Sequence, residues 1–261
     1  MKIATFNVNG ITARLPRLLE WLASARPDIV CLQELKTSDE TFPVEALRAA
    51  GYGAVWHGQK GFNGVAILAR GEPPQERRRG LPGDPDDTHS RYIEAEAHGV
   101  LVGSIYLPNG NPQPGPKFDY KLAWFERLTE HAATLFGEPR TVVLAGDYNV
   151  VASDEVGDIY SPRSYKDDAL LQPETRAAWR RLLEQGWTDA IDALHHGEPI
   201  YSYWDYFRNR FARDAGLRID HLLLNAAARA RLEQAGVDRA VRAQEKPSDH
   251  APAWVLLSDQ A

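Results

Sequence analysis

Polar side chains stand at the ends of short apolar runs in several parts of the chain, and one lies inside such a run, where a sheet could gather them for chemistry. These carboxylates, amides, one tyrosine and one histidine are Asn7, Glu34, Tyr106, Asp147, Asn149, Asp220, Asp249 and His250. Hard oxygen ligands without sulfur suit Mg2+ or Mn2+. If strand ends meet at one rim of a sheet, as they do in open α/β sheets, the set could act on a phosphate.

Asp147 and Asn149 lie two positions apart in the sequence AGDYN. In an extended segment, positions i and i+2 face the same side, so a carboxylate and an amide would point together. Gly, Asp and Asn are also common in turns, which is an equally good interpretation. Taken alone, Glu34 could be an exposed residue at a strand end, and Asn7 could cap the helix that follows.

Asp220 lies inside the apolar run LRIDHLLL, where a buried carboxylate is costly unless it is paired. Strand alternation turns it away from its neighbour His221, so the partner must be Arg218 or a distant group. His250 is the best distant candidate. An aspartate that orients an imidazole fixes its tautomer and stabilises the imidazolium. A structural pair with Arg218 is the alternative.

Composition and charge bound the class of protein. The chain has 261 residues, of which 43% are hydrophobic, and its formal net charge is −6. We expect a cytoplasmic protein without a membrane partner, because no apolar run is long enough to cross a bilayer and the N-terminus lacks an apolar signal core. The negative charge does not exclude a nucleic-acid partner, since arginines cluster at 77–79 and 208–218 and local fields decide steering.

Short apolar runs alternate with amphipathic stretches, which predicts a mixed α/β fold. The predicted strands are Lys2–Phe6, Ile29–Leu32, Ala54–His57, Val65–Ala69, Tyr92–Glu96, Val100–Leu107, Thr141–Ala145, Leu217–Leu224, Val237–Ala243 and Ala253–Leu257. The predicted helices are Arg14–Ser24, Pro43–Ala49, Phe118–Leu135, Thr175–Gln185 and Ala226–Gln234. The segments Gly71–Pro85, Pro108–Pro116 and Asp154–Gln172 are predicted to be surface loops.

Several runs, in this order along the chain, resemble exonuclease III and the related AP endonucleases of the endonuclease/exonuclease/phosphatase superfamily. The matching runs are FNVNG at 6–10, LQELK at 32–36, GQKG at 58–61 with GVA at 64–66, Tyr106, GDYN at 146–149, GLRID at 216–220 and KPSDHAP at 246–252. LQE and SDHxP are shared across the superfamily. GQKG, GLRID and KPSDHAP together are specific to the exonuclease III branch.

The resemblance implies a four-layer α/β sandwich, in which two packed mixed sheets are flanked by helices and the site lies at one edge. It implies a single domain over residues 1–261 that acts as a monomer. It also implies a Mg2+-dependent DNA repair nuclease, with Mn2+ as a substitute. Such an enzyme acts on double-stranded DNA as a 3′–5′ exonuclease at 3′ ends, as an endonuclease on the 5′ side of abasic sites, or as both.

The resemblance assigns the metal site to five residues. Glu34 resembles the principal metal ligand, and Asn7 and Asp249 resemble residues of the metal shell. Asp147 resembles the group that orients and deprotonates the attacking water, and with Asn149 it would form a second metal site.

The remaining catalytic roles concern the phosphate. Asn149 and His250 resemble the groups that hold its oxygens, with Asp220 behind His250. Tyr106 resembles the site tyrosine near the scissile phosphate. These groups fit the chemistry, because an amide and an imidazolium can both donate to a developing oxyanion.

The resemblance also implies a set of substrate contacts, which are Arg91, Asn109, Tyr203, Trp204 and Leu217. The aromatic loop Tyr201–Tyr206 would line a pocket for a flipped-out sugar. Its alternative is a core aromatic cluster, above all for Tyr201 and Tyr206.

Three departures from exonuclease III concern this substrate region. The aromatic loop has Tyr-Trp in place of Trp-Phe, Asn109 replaces a glutamine, and residues 164–173 diverge. The balance between abasic incision and 3′-end trimming therefore stays open. Two other readings of the whole chain are a non-catalytic regulator on the same fold and a phosphodiesterase acting on small molecules or lipids. The complete polar set argues against the first, and the branch-specific motifs argue against the second.

Overall fold

Two mixed sheets organise the computed structural model, which describes residues 1–259; the last two residues of the predicted domain lie outside this part. The strands of the described part are β1 (Lys2–Asn7), β2 (Ile29–Gln33), β3 (Tyr52–His57), β4 (Val65–Arg70), β5 (Gln75–Arg79), β6 (Tyr92–Ala97), β7 (Val100–Tyr106), β8 (Val142–Asp147), β9 (Thr188–Asp189), β10 (Asp220–Leu224), β11 (Leu232–Val237) and β12 (Ala253–Leu257). Its α-helices are α1 (Ile11–Ala25), α2 (Val44–Ala49), α3 (Pro116–Phe136), α4 (Pro173–Leu183), α5 (Ala190–His195) and α6 (Ala226–Arg229).

Each sheet combines one parallel pair with antiparallel neighbours. The first sheet has the order β11-β12-β1-β2-β4-β3, and the second has the order β5-β6-β7-β8-β10-β9. The parallel pairs are β1 with β2 and β7 with β8. The prediction of two mixed sheets is confirmed.

Three hydrophobic layers hold the sheets and helices together. Ile3, Ile67 and Val143 belong to the layer between the two sheets. Leu18 and Trp21 of α1 pack on the outer face of the first sheet, and α3 and α4 cover the outer face of the second sheet in the same way. The order of layers is helix, sheet, sheet, helix, which confirms the four-layer sandwich. No helix of the described part is long and apolar enough to cross a membrane.

Strand direction brings the polar strand ends to one rim. The parallel strands β1 and β2 end side by side, and β7 and β8 do the same in the second sheet. The antiparallel strands β10 and β12 begin at this rim, because Asp220 pairs with Asp147 and Ala253 pairs with Thr5. Residues that end β1, β2, β7 and β8 therefore meet residues that precede or begin β10 and β12.

Two predicted elements near the C-terminus are wrong. The predicted helix Ala226–Gln234 ends at Arg229, and the predicted strand Val237–Ala243 is largely a 3₁₀ turn at Arg239–Ala243. Between them lies β11, which pairs with β12 as an edge strand. Alanine-rich sequence favours a helix locally, but pairing with a neighbouring strand overrides a weak local preference.

The predicted loop Gly71–Pro85 contains the edge strand β5, and its five residues are all exposed. Because QERRR has no alternation of apolar and polar residues, the pattern gave no signal for a strand. The short elements β9 and α5 were also not predicted. The predicted strand Leu217–Leu224 begins at Asp220, since Leu217 instead bridges Tyr203 and Ile159 in the loops outside the sheet.

Candidate active site

Asn7 ends β1 and is fully buried between two carboxylates. Its Nδ2 donates to Glu34 Oε1 at 2.8 Å and to Asp147 Oδ2 at 2.9 Å. Its Oδ1 accepts the backbone N–H of Asn9 at 3.0 Å. The Asn7 amide therefore ties the two sheets together at the rim and sets the spacing of the carboxylates.

Glu34 follows β2 in a left-handed backbone conformation, with φ of 52°. This strained conformation is maintained by the surrounding loops, because Gly10 N–H donates to Glu34 O at 2.7 Å and Leu35 N–H donates to Gly64 O at 3.2 Å. A Cβ on Gly64 would lie 2.7 Å from the Leu35 side chain. Gly10 and Gly64 thus support the backbone conformation that directs the Glu34 side chain into the pocket.

Lys36 forms an ion pair with Glu34, at 2.8 Å from Nζ to Oε2. Burial acts to raise the pKa of the Glu34 carboxyl, but Lys36, the Asn7 amide and the His250 charge together outweigh it and hold the pKa below its ordinary value. Lys36 also donates to Asn9 Oδ1, and Asn9 Nδ2 donates to Asp249 Oδ1 at 2.9 Å. Glu34 and Asp249 are thereby connected through two residues that sequence reasoning missed, although each lies two positions after a predicted site residue.

Asp147 ends β8, where Gly146 allows the β7 backbone to come close. A Cβ on Gly146 would lie 2.0 Å from Ile105 O, so the AGD sequence requires glycine at this position. Asn149 has φ of 46° and its N–H donates to Asp147 Oδ1 at 2.9 Å. The turn interpretation of this segment is therefore right, and the extended one is wrong, yet both side chains still border the same pocket.

Two contacts fix the orientation of the Asn149 side-chain amide, and a third holds its backbone. Its Nδ2 donates to Leu107 O at 2.9 Å, and its Oδ1 accepts from Asn109 Nδ2 at 3.1 Å. The backbone carbonyl of Asn149 accepts from the buried Lys121 ammonium at 2.5 Å. Asn109, a predicted substrate contact, thus lies beside Asn149 and supports it.

Asp220 and His250 form a buried pair, with 2.7 Å between Asp220 Oδ2 and His250 Nδ1. This confirms the predicted contact and excludes Arg218, which binds Asp158 and Asp192 instead. Burial acts to lower the pKa of His250, but Asp220 and then Asp147 outweigh it and raise the pKa to about 10. His250 is therefore an imidazolium at neutral pH, with Nε2 3.8 Å from Asp147 Oδ2.

Burial raises the pKa of Asp147 to about 7, and the nearby Asp220 and Glu34 carboxylates add to this rise, while His250 opposes it. A carboxyl whose pKa lies near the working pH is suited to accept a proton and return it. The structure thus gives Asp147 and His250 opposite properties, one a proton acceptor and the other a donor.

Tyr106 ends β7 and lies under the Arg91 guanidinium, which is 4.9 Å from the ring centroid. Arg91 also donates to the Tyr106 carbonyl at 3.2 Å. Burial raises the pKa of Tyr106 well above its ordinary value, and the Glu34 and Asp147 charges add to it, so the phenol stays protonated. A protonated phenol beside a cation can donate to an anionic substrate.

These groups line one pocket of about 170 Å³. Its polar side contains Glu34, Tyr106, Asn109, Asp147, Asn149, Asp249 and His250. Its apolar side includes Leu170, Tyr203, Leu217 and Ile219, and the Tyr203 ring lies 5.0 Å from that of His250. Asn7 and Asp220 are fully buried behind the lining.

One predicted substrate residue needs correction. Trp204 is only 1% exposed and packs on Phe211 in a small cluster with Tyr201, so it is absent from the pocket lining of the described chain. The core interpretation of the aromatic loop therefore applies to Tyr201 and Trp204. It does not apply to Tyr206, which is 45% exposed.

Tyr165 and Asp168 line the pocket from the divergent loop, and neither residue was predicted from the sequence to be a site residue. In the sequence, the loop that contains Tyr165 and Asp168 was marked by its length over Asp154–Gln172 and by its divergence at residues 164–173, since long loops in a compact domain are often functional.

Arg91 lies in a neighbouring groove of about 390 Å³ together with Lys117 and Tyr120. The groove adds positive charge beside the pocket.

The donor set fits a divalent metal ion. Glu34, Asp147 and His250 each offer a ligand atom, and these atoms lie within 4.8 Å of one another. His250 is the least suitable of the three, because its Nδ1 is bound to Asp220 and the ring is protonated. The carboxylate oxygens of Glu34, Asp147 and the nearby Asp249 are the hard ligands that Mg2+ or Mn2+ prefers.

Comparison with known proteins gives a consistent result. Residues 4–250 match the model of the endonuclease/exonuclease/phosphatase family. The chain is 35% identical to exodeoxyribonuclease III of Haemophilus influenzae, over 97% of this chain and 98% of that protein. It is 30% identical to the DNA repair nuclease APEX1 of Danio rerio, over 99% of this chain and 82% of that protein.

Solved structures agree with these relatives. The 3′ phosphatase NExo from Neisseria, bound to a product DNA hairpin, superposes with a TM-score of 0.95 at 40% identity, covering 99% of this chain and all of that one. An AP endonuclease from Archaeoglobus fulgidus has a TM-score of 0.94 at 35% identity, with the same coverage.

Proposed function

The chain belongs to the endonuclease/exonuclease/phosphatase family, and we propose that it is a DNA repair nuclease that hydrolyses phosphodiester bonds with Mg2+ as its metal. The observation that carries the proposal is the convergence of Glu34, Asp147, Asn149, Asp249 and His250 on one pocket. Every polar strand-end residue of the predicted set lies in this pocket or directly behind it. We further propose that the whole chain is one domain and acts as a monomer in the cytoplasm.

Asp147 is the proposed general base. It is buried at the rim, its pKa is raised to about 7, and its Oδ1 and Oδ2 are fixed by Asn149 N–H and by the Asn7 amide. A fixed carboxylate can orient a water for in-line attack on phosphorus and take its proton. Asn7 and Asp220 act through Asp147 and His250, since neither reaches the pocket.

His250, Asn149 and Tyr106 are the proposed donors to the phosphate oxygens. The His250 imidazolium has Nε2 toward the pocket, and the Asn149 amide is held by Asn109 and Leu107. Donors that are fixed before the reaction stabilise the developing negative charge without reorganisation. Arg91, in the adjacent groove, is the proposed contact for a neighbouring phosphate.

Mg2+ is the proposed ion, and Mn2+ is its expected substitute, because the ligands offered are oxygens. Glu34 and Asp249 would hold it, with Asp147 at its edge and Asn149 nearby. Bound there, the ion would neutralise phosphate charge as the transition state forms.

The proposed substrate is double-stranded DNA with an abasic site or a 3′ end. Tyr203 and Leu217 form an apolar wall beside His250, which suits a sugar without its base. Tyr165 and Leu170, from the loop Asp154–Gln172, pack against this apolar wall and extend it. We propose that this loop sets the balance between incision within a strand and trimming of a 3′ end.

Three labelled DNA duplexes test the proposal: one with an internal abasic site, one with a recessed 3′ end and one with a 3′ phosphate. Each is incubated with Mg2+, with Mn2+ and with EDTA. Glu34→Gln is expected to lose activity by on the order of 10²–10³-fold. Glu45→Gln is the matched control, because Glu45 is exposed on α2 and pairs with Arg48 at the surface.

The pattern of products separates the outcomes. Metal-dependent cleavage of at least one duplex that is lost in Glu34→Gln and kept in Glu45→Gln supports the nuclease. Trimming without abasic incision would remove the endonuclease activity from the proposal. Absence of cleavage of all three duplexes by the wild-type protein would reject it.

A further inference from the structure

Lys121 lies on the inner face of α3 and is fully buried beneath the pocket. Its Nζ donates to the backbone carbonyl of Asn149 at 2.5 Å and to that of Asn109 at 3.0 Å. Asn109 follows β7 and Asn149 follows β8, so one ammonium joins the two loops that leave the parallel pair. Both asparagines line the pocket.

The side chains of these two loops are connected above Lys121. Asn109 Nδ2 donates to Asn149 Oδ1 at 3.1 Å, so the carbonyl contacts and the side-chain contact form one closed arrangement. The loop also rests on the lysine stem, because a Cβ on Gly110 would lie 2.6 Å from Lys121 Cδ. A shift of the ammonium would therefore move both asparagines.

Burial of this ammonium costs free energy, which suggests that it has a function other than packing. Among the ion pairs of the described chain, none involves Lys121, whereas the other fully buried cation, Arg218, contacts Asp158 and Asp192. Burial lowers the pKa of Lys121 to about 7, although the charges of Asp168 and Asp147 oppose this fall. An apolar side chain of similar volume would fill the space at lower cost. Packing of α3 alone does not account for a lysine here.

We propose that Lys121 is a positioning residue, which holds the carbonyls of Asn109 and Asn149 together and thereby directs the Asn149 amide at the phosphate. It touches neither the phosphate nor a carboxylate of the proposed metal site, so the proposed route is through Asn149; a route through its charge interaction with Asp147 would instead lower kcat alike with and without the Asn149 amide. The inference rests on the proposed function, because that function gives the Asn149 amide its phosphate.

A double-mutant cycle tests this route. Lys121→Met is expected to lower kcat on the cleaved duplex by roughly 10- to 100-fold with a much smaller change in KM, since a misplaced group costs rate more than binding. In an Asn149→Ala background the same substitution is expected to leave kcat nearly unchanged. A role only in stability would lower the folded fraction in both backgrounds alike.

His131→Leu is the matched control. His131 is buried on the same helix and contacts Glu94 at 2.9 Å, far from the pocket along α3. Its loss is expected to destabilise the protein without changing kcat in either background. Should Lys121→Met fail to fold, Lys121→Gln keeps a neutral donor with a shorter reach, and a smaller loss of kcat with the same dependence on Asn149 is expected.

A crystal structure of the Lys121 variant gives a readout without activity. We expect the contact between Asn109 Nδ2 and Asn149 Oδ1, 3.1 Å in the native chain, to lengthen or break. An unmoved Asn149, or equal losses of kcat in both backgrounds, would overturn the inference. A wild-type protein that cleaves no duplex would reject the proposed function, and the crystal structure would still decide the role of Lys121.

Discussion

The protein has two buried aspartate–histidine pairs, and each pair has one member on β10. The two pairs differ in the surroundings of the imidazole nitrogen that does not contact the aspartate. The open pair is Asp220 with His250, at 2.7 Å, and the closed pair is Asp189 with His221, at 2.8 Å. Asp220 and His221 are neighbours in one strand, so alternation sends them to opposite faces of the second sheet. The open pair adjoins the pocket, and the closed pair lies on the other face.

The Nε2 atoms of the two histidines have different surroundings. His250 Nε2 faces Asp147 across the pocket edge at 3.8 Å. His221 Nε2 is 3.3 Å from the Val150 carbonyl, and its ring packs 4.5 Å from that of Trp179. In both, burial acts to lower the histidine pKa and the aspartate raises it above its ordinary value. A raised pKa therefore does not identify a functional histidine, whereas a nitrogen directed at a cavity does.

Substitution of each histidine by leucine gives the largest expected contrast. His250→Leu is expected to lower kcat by on the order of 10³-fold, because it removes a fixed donor to the phosphate. His221→Leu, the same change on the closed pair, is its control. Steady-state rates on one cleaved duplex provide the measurement. Equal losses from the two variants would show that the geometry of the pocket does not separate the pairs.

Asp220→Asn tests the aspartate of the open pair, and the expected loss in kcat is roughly 10- to 100-fold. The same substitution is also expected to change the dependence of kcat on pH. As a donor His250 must be protonated, so activity falls as pH rises through its pKa, which is about 10 in the native chain. Without the Asp220 charge the pKa is lower, and the alkaline fall should move to lower pH. A profile that keeps its alkaline limit would assign that limit to another group.

The same two pairs show what the sequence could predict. Asp220 was identifiable because a carboxylate in an apolar strand requires a partner, and His250 was one of few distant candidates. Asp189 gave no such signal, because it lies in a strand of two residues and caps α5. Lys121 also gave no signal in the sequence, since a lysine in an amphipathic helix usually lies on the solvent face.

The fold was predictable to a similar extent. Regular alternation located the central strands, and the family motifs implied two sheets and the rim on which the polar residues meet. The edge strands β5 and β11 were missed, because each is defined by pairing with a neighbour and not by its own pattern of residues. Trp204 was misplaced for a related reason, since a motif fixes the position of a residue in the chain but not which side of a loop it faces.

His221→Leu is expected to change stability more than activity. It leaves Asp189 buried without its partner and the Val150 carbonyl without its donor, which should cost about 3–5 kcal/mol in the free energy of unfolding. The loss in kcat should stay below about tenfold, the lower bound for a supporting contact. Urea unfolding and steady-state rates give the two values. Adding Asp189→Asn, which removes the stranded charge, should recover part of the stability; no recovery would mean that the charge is not the cause.

The smallest expected effect is the pH dependence of the closed pair. The pKa of His221 is raised above its ordinary 6.5, so its contribution to stability is fully present below that pH and is lost as pH rises through the folded value. Asp189, whose pKa is lowered from 3.8, contributes above that pH and loses its effect as pH falls through the folded value.

The difference in unfolding free energy between the wild type and the double variant with His221→Leu and Asp189→Asn isolates this contribution, because all other groups titrate in both proteins. The difference should be larger at pH 6 than at pH 9. A difference that stays constant would mean that folding does not shift the pKa of His221, and a difference that is smaller at pH 6 would mean that His221 is neutral in the folded chain. In that case the Val150 contact would be an ordinary hydrogen bond, and the two pairs would differ in charge as well as in access to the pocket.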